Sequence, residues 1–189
     1  MTGKRIGLGV TGSFCCLSQV IPVVKTLSCS NEVTPILSYS VQKVDTRFYK
    51  AEDLRADLIA ATRRTPIETL ADAEKTGPAK AFDVMLIAPC TGNTMAKLRA
   101  GITDTPVLMA AKAHIRNGRP LVIAFSTNDA LGAAAPNIAE LLNRRNIYFV
   151  PFSQDDPAKK PRSAASHFGL CEKTLEKALE GEQLEPIMA

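Results

Sequence analysis

Phe82-Asp83-Val84-Met85-Leu86-Ile87-Ala88 followed by Pro89-Cys90-Thr91-Gly92-Asn93-Thr94 is the stretch whose reading decides the fold. The first seven residues are apolar apart from Asp83, the pattern of a parallel strand covered on both faces. The turn that follows is made of small and polar residues, and Met95-Ala96-Lys97-Leu98 then continues as a helix. A strand-to-helix junction of this kind leaves backbone N–H groups and hydroxyls converging on one spot, which is what an anion needs.

Upstream, Lys4 to Val10 reads as a buried strand that ends in Thr11-Gly12-Ser13. Ser13 stands at an N-cap position before a helix over Phe14 to Leu27, and Pro22 predicts a kink or break in it. Val33 to Leu37 is a second strand, closed by Ser38-Tyr39-Ser40. A helix is expected over Lys50 to Arg63, a short one starting at Thr65-Pro66, and an interruption at Gly77-Pro78. Downstream come helices at Asn93 to Leu98 and Pro106 to Arg116, then a strand from Pro120 to Phe125 that ends in Ser126-Thr127-Asn128-Asp129. A helix over Ile138 to Arg145 and a strand over Ile147 to Val150 follow.

This alternation predicts one three-layer α/β domain over residues 1–181, Rossmann-like or flavodoxin-like, with a mostly parallel sheet. Within it, residues 155–166, with two prolines and clustered charge, read as an extended arm, solvated or lying on a neighbouring subunit. Residues 167–181 read as a C-terminal helix with the apolar stripe Phe168, Cys171, Leu175 and Ala178, and 182–189 as a loose tail.

Composition narrows the function classes. At 189 residues and 46% hydrophobic, the chain can bury one core. No apolar run reaches the roughly 20 residues of a membrane span, and the N-terminus does not read as a signal peptide, so a cytoplasmic protein without membrane contact is expected. A net charge of +4 spread along the chain, with no tryptophan, points away from nucleic acid. Five cysteines without CxxC or Cys/His ligand spacing predict reduced thiols, with neither a disulfide framework nor a metal site. Cys15, Cys16 and Cys90 read as small packing residues, and His114 as a surface or interface residue.

Ligands of such sheets sit beyond the carboxyl ends of the strands. That gathers Thr11-Gly12-Ser13, Ser38-Tyr39-Ser40, Cys90 to Thr94 and Ser126 to Asp129, loops rich in hydroxyls, amides and glycine. Gly7-Leu8-Gly9-Val10-Thr11-Gly12 matches GxGxxG literally, but its first two glycines fall inside the strand. The acid a dinucleotide site needs at the end of the second strand is absent, Ser38 standing there instead.

Gly9-Val10-Thr11-Gly12-Ser13 and Ala88-Pro89-Cys90-Thr91-Gly92-Asn93-Thr94 together resemble the flavoprotein family of homo-oligomeric, flavin-containing cysteine decarboxylases. That family has Gly-x-Thr-Gly-Ser in its first loop and Pro-Ala-Ser-Ala-Asn-Thr in its second. Ala96-Lys97-Leu98 and Gly101-Ile102-Thr103-Asp104 are similar to its Ala-Lys and Gly-Ile-Ala-Asp. Residues 88–112, 117–129 and 148–160 are closest to the branch of the family that serves as the second chain of a two-chain enzyme.

The resemblance implies FMN, its phosphate and ribityl chain bound by Gly12, Ser13, Ser38, Thr91 and Thr94, with Cys90, Gly92 and Asn93 shaping the turn. It also implies a homo-oligomer, a trimer or larger, and a partner A subunit that carries NAD(P). The joint activity implied is oxidation of a dihydrodipicolinate-type precursor to dipicolinate during sporulation. A dianionic product would suit Lys97, Lys112 or Arg116.

The chain departs from the decarboxylases in two places. Their histidine before the central strand is missing from Thr76-Gly77-Pro78-Ala79-Lys80-Ala81, and of their Pro-x-Met-Asn only Asn128 remains. Asn128 is the candidate catalytic contact. Besides the two-subunit oxidoreductase, two readings stay open: a stand-alone FMN-dependent decarboxylase or prenyl-flavin-type transferase, and a non-catalytic structural partner.

Overall fold

In the computed structural model, which describes residues 1–188, the stretch 84–90 is the centre of the molecule. It forms β3 (Val84–Cys90), buried along its whole length. Parallel partners flank it: β1 (Arg5–Val10) on one side and β4 (Leu121–Thr127) on the other. Beyond β1 lies β2 (Glu32–Leu37), also parallel. The far side of β4 is shared. Its first half, Leu121 to Ile123, pairs in parallel with β5 (Ile147–Phe149). Its end, Ser126 and Thr127, pairs antiparallel with β7 (Ala164–Ser166), which pairs in turn with β6 (Phe152–Ser153).

Period-two alternation sends the side chains of β3 into two cores. Val84, Leu86 and Ala88 join a cluster under α1 (Leu17–Ser28), α3 (Ala51–Thr62) and α8 (Cys171–Glu180). Met85 and Ile87 join the opposite cluster, under α4 (Leu70–Lys75), α5 (Gly92–Ala100), α6 (Pro106–Ile115) and α7 (Ala135–Leu142). The register against β4 shifts between Ile87 and Cys90, and Cys90 also lands on this second face. Each fully buried Leu or Ile here contributes about 1.5–3 kcal/mol. The predicted three-layer α/β architecture is therefore the observed one.

The two glycines inside β1 serve packing. A Cβ on Gly7 would lie 2.6 Å from the Phe82 ring, and one on Gly9 would lie 2.7 Å from Val107 of α6. The literal GxGxxG thus reflects close packing onto β1, with its first two glycines in mid-strand, as its position implied.

Several local expectations are corrected. A 3₁₀ turn over Phe14–Cys16 leads into α1, which runs through Pro22 unbroken. The carbonyl that the missing N–H of Pro22 leaves without a helical donor belongs to Ser18, on the exposed face where water reaches it. Thr65-Pro66 starts no helix. Ile67 instead bridges to Ile36 of β2, and α4 begins after Thr69, whose hydroxyl accepts the Asp72 N–H at 3.1 Å. A short helix not foreseen, α2 (Tyr39–Lys43), follows β2.

Residues 155–166 are not an extended arm: they turn back on their own chain and end in β7, where the Phe125 N–H donates to Ser166 Oγ at 3.0 Å. The expected stripe on α8 is buried. The segment after it is not loose. Gln183 accepts from the Phe149 N–H at 2.8 Å and donates to its carbonyl at 2.7 Å, Leu184 is buried, and Met188 bridges to Phe152.

Candidate functional site

From β1 the chain crosses through α1 to β2 on one side, and from β3 through α5 and α6 to β4 on the other. A crevice therefore opens between the carboxyl ends of β1 and β3. Thr11, buried at the end of β1, ties the two strand ends together. Its hydroxyl donates to the Pro89 carbonyl at 2.7 Å and accepts the Thr91 N–H at 3.0 Å. The Ala88–Pro89 peptide between them is cis.

Thr91 is the N-cap of α5: its Oγ1 accepts the Thr94 N–H at 3.0 Å and lies 2.8 Å from Thr94 Oγ1. An α-helix cannot satisfy its first-turn N–H groups internally. Among the described residues those of Gly92 and Asn93 find no protein acceptor. Across the crevice, Ser38 Oγ and Ser40 Oγ are 3.0 Å apart. Between these walls lies a cavity of about 390 Å³. Small-molecule sites typically hold about 300–1,000 Å³.

The hydroxyl-bearing residues Thr11, Ser38, Ser40, Thr91 and Thr94 line this cavity. Phe14, Tyr39 and Leu108 supply its apolar surface, and Lys97, 2.5 Å from Asp104, its cationic group. A wider, open groove of about 580 Å³ borders Thr46 to Asp57 and contains no strand-end residue.

Of the residues singled out from the sequence, Gly12, Ser38, Thr91, Asn93 and Thr94 line the cavity together. Ser13, Cys90 and Gly92 stand behind it. Ser13 holds the N-cap position of the 3₁₀ turn without capping it, its hydroxyl donating to the Ser126 carbonyl at 2.8 Å. The helix expected from Asn93 begins one residue earlier, at Gly92, with Thr91 as its cap and Asn93 as its second residue. Gly92 sits where α5 meets the next loop, and a Cβ on it would lie 2.9 Å from Thr127 Oγ1.

Asn128, beyond β4, does not line the cavity, and its Oδ1 accepts from Ser163 Oγ at 3.4 Å. Lys112 and Arg116 lie elsewhere, on the outer side of α6. Sequence reading passed over Phe14, Thr105 and Leu108 as cavity residues; Tyr39 and Ser40 belong to the Ser-Tyr-Ser loop it gathered, and Asp104 to the Gly-Ile-Thr-Asp it compared with the family.

The buried thiols and the buried imidazole are held in their neutral forms. Burial pushes the Cys90 thiol well up, Cys171 to about 12 and Cys16 to about 11. None of these is poised as a nucleophile. Cys15 and Cys29 are exposed. His114 is a correction: expected on a surface or interface, it is buried, and burial pushes its pKa down to about 4. Its Nε2 lies 2.9 Å from the Pro120 carbonyl, so the neutral ring carries its proton there and donates it. Among the described residues no group of three His, Cys, Asp or Glu side chains could hold a metal ion, and no helix is long and apolar enough to cross a membrane.

Comparison with known proteins adds four findings. The sequence model of the family described as Flavoprotein matches residues 1–159. The B subunit of dipicolinate synthase from Bacillus subtilis (strain 168) is 45% identical over 189 residues, covering 100% of this chain and 94% of that protein. The crystal structure of the corresponding B subunit from Bacillus halodurans C superposes with a TM-score of 0.91 at 40% identity, over 100% of this chain and 97% of that one. An FMN-dependent cysteine decarboxylase, SpaF, shares the fold, with a TM-score of 0.66 at 23% identity over 93% and 97% of the two chains.

Proposed function

Because the chain belongs to the Flavoprotein family, we propose that it is the flavin-site subunit of a two-subunit oxidoreductase that forms dipicolinate in sporulating cells. The observation that carries the reading is the cavity between the ends of β1 and β3. Its hydroxyls and spare N–H groups converge where the family's two signature loops meet.

The residues present fit an FMN phosphate. Thr91, Thr94, Ser38 and Ser40 offer hydroxyls, and the Gly92 and Asn93 N–H groups point out of the first turn of a nine-residue helix. Gly12 keeps the wall open, since a Cβ there would lie 2.9 Å from Ser40 Oγ. Lys97, oriented by Asp104, supplies a positive charge beside them. Phe14, Tyr39 and Leu108 offer apolar surface to a flat ring. When bound, FMN supplies a two-electron redox centre.

The overall reaction removes two electrons and two protons from a dihydrodipicolinate-type precursor. A hydride goes to NAD(P)⁺ on the A subunit and a proton to solvent. This chain's contribution is to bind and orient, because the charged side chains lining the cavity, Lys97 and Asp104, are paired with each other. The same point disfavours a stand-alone decarboxylase: the only histidine near the central strand is His114, buried, neutral and engaged with Pro120. A homo-oligomer of three or more copies is part of the reading, supported by the family resemblance and by exposed Tyr39 at the cavity and exposed Val44 and Phe48 just after α2.

Two measurements test it. Titrating the purified protein with FMN should produce a saturable shift of the flavin absorbance band, and Thr91→Ala should weaken it. Mixed with its A subunit, the chain should support NAD(P)-dependent dipicolinate formation that neither shows alone. Full turnover by this chain without a partner would overturn the proposal.

A further inference from the structure

On the outer side of α6 a second cavity, of about 270 Å³, is walled by three elements. Leu108, Lys112, Ile115 and Arg116 recur at helical spacing, so α6 presents them as one stripe. Leu98 and the Gly101 turn close one end, and Arg144, Arg145 and Ile147 close the other. The apolar floor is built in: Leu108 and Ile147 are buried, as is Leu98.

The wall is fixed independently of any ligand. Arg144 donates to the Leu98 carbonyl at 3.3 Å and to the Arg99 carbonyl at 2.7 Å, and it pairs with Glu140 at 2.6 Å. The nearby carboxylates are all engaged, Glu140 by Arg99 and Arg144, and Asp104 by Lys97. Lys112, Arg116 and Arg145 find no carboxylate among the described residues. Three uncompensated cations thus ring a small apolar floor.

We propose that this cavity binds a small flat dicarboxylate, an aromatic diacid, with its ring on the floor and its carboxylates on Lys112, Arg116 and Arg145. A floor without charge would suit a neutral ligand, and cations without a floor would suit any anion; their combination selects an anion with an apolar body. Two guanidinium groups favour carboxylates, which they grip in a planar, bidentate fashion. The volume falls just below the range of about 300–1,000 Å³ typical of sites for drug-sized ligands, which limits the body to about one ring. The cavity shares only Leu108 with the one at the strand ends; the choice of an aromatic diacid as its ligand rests on the proposed function, while binding to it is read without turnover.

The test is calorimetric titration of the full chain with pyridine-2,6-dicarboxylate at low ionic strength, with benzoate and sulfate as comparison probes. Saturable binding at one ligand per chain is expected, with benzoate and sulfate each about tenfold weaker or worse. Lys112→Ala, Arg116→Ala and Arg145→Ala, all exposed positions that leave the core untouched, should each weaken the dicarboxylate about fivefold to tenfold. Thr91→Ala, in the other cavity, should leave it unchanged. Absence of saturable binding overturns the proposal, and so does sulfate binding as tightly as the dicarboxylate. A titration lost in Thr91→Ala but kept in the three cation variants also overturns it, because the ligand would then occupy the strand-end cavity.

Discussion

The loops Cys90 to Thr94 and Ser126 to Asp129 are built from the same materials, yet they end in opposite states. Each leaves a buried parallel strand on the same edge of the sheet and carries hydroxyls, an asparagine and a following helix. In the first, the internal bonds stop short of the full set of donors, and the N–H groups of Gly92 and Asn93 are left over beside a cavity. In the second, the polar groups are consumed. Ser126 pairs with Ala165 and accepts from Ser13, Thr127 pairs with Ala164, and Asn128 accepts from Ser163. The difference comes from position. β3 stands beside the crossover, where neighbouring chain departs in both directions, whereas β7 lies along the end of β4. A polar loop becomes a site through the donors the fold leaves unused.

The largest effect expected reaches both loops at once, from the far end of the strand that carries the second. The folded pKa of His114 is depressed below its ordinary value of 6.5, to about 4, so the unfolded chain binds the proton first. Stability should fall as pH drops from 6.5 towards 4 and then level, a loss of up to about 3 kcal/mol. Urea midpoints across that window measure it, and His114→Gln should flatten the slope.

Next is the tie between the two signature loops. Thr11→Val leaves the Thr91 N–H buried without its acceptor, a cost of about 1–3 kcal/mol. Thr127→Val, which removes only a 3.4 Å contact from the Asp129 N–H, should cost no more than about 0.5 kcal/mol. Equal melting shifts for the two would erase the contrast. Thr91→Ala should lose the α5 cap, about 1 kcal/mol, and weaken FMN binding about tenfold. Smallest is Asn128→Ala: stability within about 0.5 kcal/mol and FMN affinity unchanged. A tenfold drop in affinity there would return the second loop to the site.

What could be read in advance was what is encoded locally. The apolar runs of β1, β3 and β4 and the two loops at the crossover declare themselves within a few residues, and five of the eight proposed cofactor residues do meet at one cavity. What escaped depends on distant partners. His114 lies on an ordinary amphipathic stretch, and its burial follows from a carbonyl at Pro120 that the fold brings beneath it. Ala164 to Ser166 is three residues of unremarkable composition whose strand character exists only against β4. Gln183 satisfies both backbone groups of Phe149, a role invisible in the polar segment it belongs to. The start of α5 was the narrowest miss, read at Asn93 where the helix begins at Gly92 behind the extended backbone of Thr91.

The rims of the sheet have a consequence for how the protein behaves when crowded. Exposed strand edges are templates for runaway pairing between chains. At one rim β2 carries Pro35, which cannot donate, and the stretch around Ile67 takes up the Leu37 N–H and the Pro35 carbonyl. At the other, β6 is two residues long and is met by Ile187 and Met188 from the chain's last turn. Neither rim offers a run of free ladder groups, so copies of this chain brought close together are steered to meet through side chains instead of fusing through their backbones.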